Sequence, residues 1–235
     1  MSAVLEAIQL TCGYGKIVAV REASLALQPG QVTAILGPNG AGKTTLMMTL
    51  AGLLPRLAGD VVLEGTSLPS GKPTVANMAG VVLVPDNRAL FTTLTVRENI
   101  EIARIKGDDI TDEVIDLFPS LQRRLDLKAG SLSGGEQQML AMARGLVQKP
   151  KVFLVDEMSM GLAPIVVEAL LPVVRRVADE TGAAVVLVEQ HVRLALEVAD
   201  QALVLVHGNV SLSGPASEFR GDPSRLEAAY LGTGD

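Results

Sequence analysis

Cysteine occurs once, at Cys12, tryptophan not at all, and aromatic residues make up only 3% of the 235 residues. A single thiol excludes an internal disulfide framework and fits a reducing compartment. So few aromatics leave little surface on which nucleic-acid bases could stack. Positive charge is also short. Asp and Glu outnumber Lys and Arg by 26 to 20, the net charge is −6, and no basic arm or stripe offsets it. Sequence-independent grip on nucleic acid rests on Lys and Arg neutralising phosphates, so no nucleic-acid partner is expected. No apolar run reaches the roughly 18 residues that a membrane span requires. The richest stretch, Ile165 to Val174, is cut by Glu168 and Pro172, so the chain is not expected to be a pore. The opening Met-Ser-Ala-Val-Leu-Glu has neither the basic start nor the apolar core of an export signal, which adds to the expectation of a cytoplasmic setting. Internal repeats and low-complexity tracts are absent as well.

What is present starts with the run Gly37, Pro38, Asn39, Gly40, Ala41, Gly42, Lys43 and Thr44, followed by Thr45. It comes directly after the apolar Val32 to Leu36, giving strand, glycine-rich turn and helix in that order. In such a turn the backbone N–H groups and the helix N-terminus point at phosphates, the lysine reaches the β and γ oxygens, and the hydroxyl after it can ligate Mg²⁺. A chance match of this pattern is expected in on the order of one percent of chains this long. The loop alone does not choose among kinases, G proteins, motors and transporter ATPases.

Four short apolar runs end in candidate chemistry: Val32 to Leu36 in the glycine-rich turn, Val81 to Val84 in Pro85-Asp86, Val152 to Val155 in Asp156-Glu157, and Ala184 to Val188 in Glu189-Gln190-His191. Runs with no polar alternation suit parallel strands covered on both faces. In an open parallel sheet, ligands sit beyond the carboxyl ends of the strands, which would collect these groups along one edge. Val4 to Leu10 and Ile17 to Leu27 alternate well enough to form half-exposed strands of a flanking antiparallel layer, with Asp60 to Glu64 as another strand. From about Thr95 to Leu127 the pattern turns helical, with a Thr95-to-Glu98 capping box and a second segment, Thr111 to Phe118, ended by Pro119. Ser133, Gly134, Gly135 and Glu136 open another helix, with Ser133 as N-cap and Glu136 as its capping-box partner. Helices near Glu136 to Leu146 and Pro164 to Ala178 follow, and His207-Gly-Asn209 joins two late strands as a hairpin.

Taken one at a time, the last three motifs have plain structural readings: a capped helix, a buried strand stopping at a loop, a surface histidine. In this order and spacing, with Leu132-Ser-Gly-Gly-Glu-Gln-Gln138 ahead of the Asp156-Glu157 and Glu189-Gln190-His191 strand ends, the chain closely resembles the ATP-binding cassette ATPases, the nucleotide-binding subunits of ABC transporters, from Tyr14 to the C-terminal strands. The resemblance implies an α/β fold with a P-loop NTPase core, a mostly parallel sheet, a flanking antiparallel β-layer and an inserted helical subdomain. The whole chain is then one ATP-binding domain, with the core at about 1–90 and 150–235 and the helical subdomain at about 91–149.

The same resemblance carries roles for single residues. Tyr14 would stack on adenine, its alternative being a packed surface tyrosine. Asp156 would hold Mg²⁺ through water, Glu157 would orient and deprotonate the attacking water, and His191 would contact the γ-phosphate. Ser133 to Glu136 would seal the ATP held by a facing cassette, so that two sites close head to tail. At the position where most cassettes carry a glutamine this chain has Asp86, one methylene shorter and charged. It either ligates the cation or repels the γ-phosphate; the expectation is that it keeps the metal role with altered coupling. Met158 and Ala163 stand where proline and aspartate are common.

Asn87 to Phe91, Met158 to Pro164 and the tail Glu227 to Gly232 resemble the shorter ATPase subunit of branched-chain amino-acid importers. That implies partners: permease subunits, a longer sister cassette or a second copy, and indirectly a solute-binding protein, with the chain peripheral on the cytoplasmic face of the membrane. Importers of urea and short amides have similar cassettes and stay open as an alternative. A soluble ABC ATPase of ribosomes or chromosomes usually needs more than 235 residues, and a non-hydrolysing regulator would not keep Lys43, Asp156, Glu157 and His191 together. Phe91 and Leu94 lie where a permease would dock, or else pack into the chain's own core.

Overall fold

Hydrophobic strands too short and too uniformly apolar to face water on either side set the architecture. The computed structural model describes residues 2–105, 111–189, 191–221 and 226; Gln190 and the 227–232 tail lie outside them. The elements are β1 (Leu5–Tyr14), β2 (Ile17–Leu27), β3 (Val32–Leu36), α1 (Lys43–Leu50), β4 (Ala58–Leu63), β5 (Thr66–Ser67), α2 (Pro73–Ala79) and β6 (Val81–Val84). Then come α3 (Val96–Ala103), α4 (Thr111–Asp116), α5 (Pro119–Gln122), α6 (Gly134–Leu146), β7 (Val152–Asp156), α7 (Pro164–Thr181), β8 (Ala184–Val188), α8 (Val192–Val198), β9 (Gln201–Val206), β10 (Asn209–Pro215) and α9 (Ala216–Gly221). One sheet runs β10-β9-β3-β8-β7-β6, parallel throughout except for β10; the other, β2-β1-β4-β5, is antiparallel.

Strands β3, β7 and β8 are buried along their whole length. Because successive side chains point to opposite faces, each strand divides its residues between two cores. Phe153, Val155, Val185 and Leu187 join the core under α3, α6 and α7, whereas Leu154, Val186 and Val188 join the core shared with α1 and the antiparallel sheet.

Two helices start where side chains satisfy their free N–H groups. Thr95 and Glu98 form a complete capping box on α3, and Ser133 and Glu136 form one on α6. The His207-Gly208 turn of the β9–β10 hairpin has φ of 49° and 80°, the primed geometry that matches strand twist.

Two local expectations need correction. β1 continues past the expected Leu10 to Tyr14, because bulges after Ala7 and Leu10 shift its register and hide the alternation; Tyr14 closes the strand and pairs with Ile17, where β2 begins. Pro119 opens α5 at its first turn, where its missing N–H costs nothing, as well as ending the preceding segment. Pro172 lies inside α7, within the helix expected from Pro164 to Ala178. Among the described residues, no helix is long and apolar enough to cross a membrane.

Candidate functional site

The glycine-rich turn leaves β3 at Gly37, whose φ of 148° suits glycine, and a Cβ there would lie 2.1 Å from the Leu205 carbonyl oxygen. Gly42, at φ 103°, presses the other side of the loop against β2: a Cβ would meet Val20 Cγ2 at 2.6 Å and the Ala19 oxygen at 2.8 Å. Between these contacts the loop is wrapped around Lys43, whose Nζ donates to the carbonyls of Gly37 (2.9 Å) and Pro38 (3.0 Å). Helix α1 begins at that lysine with no side-chain cap and no acidic residue in its first turn. Its first N–H groups and dipole are therefore directed at an open cleft of about 370 Å³, lined by Asn39, Gly40, Gly42, Lys43, Thr44, Thr45 and Glu157, together with Ala19 and Met160.

Two carboxylates meet this loop at the end of β7. Asp156 is 2% exposed, and its Oδ1 is buried with no hydrogen-bond partner. Burial pushes its carboxyl up to about 6; Glu157 and Asp86 add to the rise, while the Thr44 hydroxyl and Lys43 oppose it. Lys43 moves down, chiefly through desolvation, with Glu157 and Asp156 pulling the other way. Glu157 is half-buried and held at φ 45°, its N–H bonded to the Val188 carbonyl at 3.0 Å. Asp86 is exposed beyond β6, and its Oδ1 accepts the Asn87 N–H at 2.8 Å. The hard-oxygen donors of Asp156 and Thr44, with one carboxylate oxygen left unpaired, fit a divalent cation.

Other expected residues stand elsewhere. Tyr14 is 52% exposed at the end of β1, its hydroxyl donating to Met48 Sδ of α1 at 3.8 Å. Ser133 and Gly134 are exposed and are not among the residues lining the cleft. Glu136 accepts from Ser133 N and Oγ, both at 2.9 Å, and these bonds, the backbone one first, hold its carboxyl below the ordinary value. Gly135 lets α6 approach α7, since a Cβ would fall 2.6 Å from Val166 Cγ1. His191, expected at the γ-phosphate, is exposed at the N-cap position of α8 and is not among the residues lining the cleft. β8 ends at Val188 and the buried Glu189 follows it, which leaves His191 out on the surface.

Sequence reasoning missed Ala19 and Met160, which line the cleft, and three residues that shape the surrounding loops. Arg88 reaches Gln138 (3.0 Å) and Gln137 (3.1 Å) on α6. Asn99, fully buried, accepts from Phe91 N and donates to the carbonyls of Phe91 and Thr95, folding that loop so that Phe91 stays 49% exposed, with Arg144 5.0 Å above its ring. Glu189 is 1% exposed. A charged residue directly after an apolar strand was the available signal for Glu189; Arg88 and Asn99 carried none beyond their neighbours.

Comparison with known proteins agrees with this geometry. The family model for the ABC transporter matches residues 20–160. The high-affinity branched-chain amino acid transport ATP-binding protein BraG of Pseudomonas aeruginosa is 38% identical over 224 residues, 93% of this chain and 95% of that protein. The probable branched-chain amino acid transport ATP-binding protein LivF of Archaeoglobus fulgidus is 36% identical, over 92% of this chain and 94% of that one. The crystal structure of the ADP conformation of an ATP-binding cassette of an ABC transporter superposes with a TM-score of 0.84 at 25% identity, covering 99% of this chain and 100% of the other. With the glycine-rich loop, the buried lysine and the strand-end carboxylates gathered at one cleft, the chain belongs to the ABC transporter family of ATP-binding cassettes.

Proposed function

We propose that this chain is the ATP-hydrolysing motor of an importer for branched-chain amino acids. The observation that carries the reading is the convergence of uncapped α1 N–H groups, a desolvated Lys43 and the Asp156-Glu157 pair on one cleft at the carboxyl ends of a parallel sheet. The triphosphate lies in the loop from Gly37 to Thr45, with Lys43 turning from the Gly37 and Pro38 carbonyls to the β and γ oxygens. Tyr14, on the exposed rim beside α1, offers a face to adenine. Thr44 and Asp156 would hold Mg²⁺, with Asp86 as an outer partner. When bound, the cation neutralises charge on the β- and γ-phosphate oxygens. Glu157 takes a proton from the attacking water, a role worth typically ~10² to 10⁴-fold.

Ser133 and Gly134 are exposed, and with Gly135 and Glu136 they would close the site of a second cassette, either a longer sister or another copy. Residues 91–149 then form the helical subdomain between the two parts of the core. Phe91, held out by Asn99, would seat a permease subunit of the membrane, with the chain on its cytoplasmic face and a solute-binding protein beyond. Both curated relatives named above bear branched-chain amino acid transport in their names, which favours that solute class over urea and short amides. The test is the complex purified from membranes and placed in vesicles. ATP hydrolysis stimulated by leucine but not by urea is expected, and stimulation by urea alone would overturn the solute assignment.

A further inference from the structure

The turn behind Glu157 is built from unusual parts. Glu157 occupies the left-handed region at φ 45°, where a residue with a side chain persists only if its surroundings fix it. Two consecutive residues at the end of β8 supply that fixation. The carbonyl of Val188 accepts the Glu157 N–H at 3.0 Å. The next side chain, Glu189, accepts the Ser159 N–H at 2.9 Å with one oxygen and the Ser159 hydroxyl with the other. Both partners of this clasp are buried, Glu189 at 1% and Ser159 at 6% exposure. The turn's own bonds, Met160 N–H to Glu157 O and Leu162 N–H to Ser159 O, leave the Ser159 N–H without a main-chain partner, so the carboxylate takes a donor that burial would otherwise strand. On the far side Arg88 Nη2 points to the Met160 carbonyl at 3.4 Å. Neither Glu189 nor Ser159 lines the cleft, whereas Glu157 and Met160 on either side of Ser159 do.

We propose that Glu189 is a positioning residue for hydrolysis: its clasp on Ser159 sets the turn that aims the Glu157 carboxylate, without touching nucleotide itself. This rests on the reading of Glu157 as the base. Displacing a reacting group by about an ångström costs on the order of 100-fold in rate, while nucleotide contacts made by α1 and its loop stay as they are. The clasp therefore separates turnover from binding.

The experiment compares the full-length wild-type chain with Ser159→Ala, Ser159→Thr, Glu189→Gln and Glu157→Gln. It measures the maximal hydrolysis rate, equilibrium binding of a fluorescent ATP analogue, and the melting temperature. Ser159→Ala is expected to lower the maximal rate by on the order of 10- to 100-fold, with analogue affinity within about twofold of wild type, and Ser159→Thr, which keeps the hydroxyl, to restore the rate. Glu189→Gln keeps an acceptor for the Ser159 N–H and should fall between them. A Ser159→Ala rate equal to wild type overturns the proposal, as does a loss of rate and affinity in step with melting that threonine does not rescue. Glu157→Gln keeps the two readings apart, since normal hydrolysis by that variant removes the base assignment itself, whatever Ser159→Ala does.

Discussion

Helices α1 and α6 both open on glycine-rich turns, yet one N-terminus is left wanting and the other is complete. At α1 no side chain caps the first turn, Lys43 is desolvated and bonded only to carbonyls, and Asp156 beside it has a buried oxygen without a partner. At α6, Ser133 and Glu136 satisfy each other and the helix end, and Glu136 is held ionised by doing so. The first arrangement leaves electrostatic debts that a metal-bound triphosphate settles. The second is complete by itself and, in the function proposed above, would present a preformed edge to the nucleotide of a facing cassette.

Substitutions can break that contrast, and the largest effect belongs to the unfinished end. Glu157→Gln should retain ATP while losing ~10² to 10⁴-fold in phosphate release, read by single-turnover hydrolysis. Lys43→Ala removes charge-assisted bonds to phosphate worth roughly 1.5–3 kcal/mol each, so nucleotide affinity should drop on the order of 100-fold in equilibrium binding.

Asp156→Asn acts on stability. The folded carboxyl titrates at about 6 against an ordinary 3.8, so the folded state holds the proton more tightly. The stability linked to that proton is fully present below the ordinary value and is lost as pH rises toward and through 6. Asparagine removes the loss, and the nucleotide-free variant should be more stable than wild type at pH 8, by about 3 kcal/mol at most, with the gain vanishing near pH 4 in urea melts. Hydrolysis by the same variant should fail.

Ser133→Ala touches the finished end and should cost about 1 kcal/mol of stability without altering nucleotide binding by the isolated chain. The smallest effect is expected from His191→Ala, which should change the hydrolysis rate by less than about twofold, in keeping with its exposed place at α8. A tenfold loss would bring the histidine back into the site.

The legible parts of the molecule were those written in local pattern. Uniform apolar runs marked β3, β6, β7 and β8, and residue spacing marked both capping boxes, because each depends on neighbours in the chain. β1 runs beyond the alternating Val4 to Leu10 because its bulges, with Gln9 at φ 48°, break the alternation on which strand recognition depends. The site divides the same way. The loop and the Asp156-Glu157 pair were readable, but the Ser159–Glu189 clasp spans 30 residues and the Arg88 bridge to Gln138 spans 50, and no periodicity records such a meeting. His191 was named from its order in the motif, and its exposed place at the start of α8 is a tertiary outcome that no local pattern records.

The parallel sheet works as a party wall. Odd and even positions of one strand belong to different rooms, so trimming Val155 should loosen the helical side while leaving α1 and its loop at rest, and trimming Leu154 next door should do the reverse. Neighbours in sequence thereby become independent handles on the half that carries the glycine-rich loop and the half built on α3, α6 and α7.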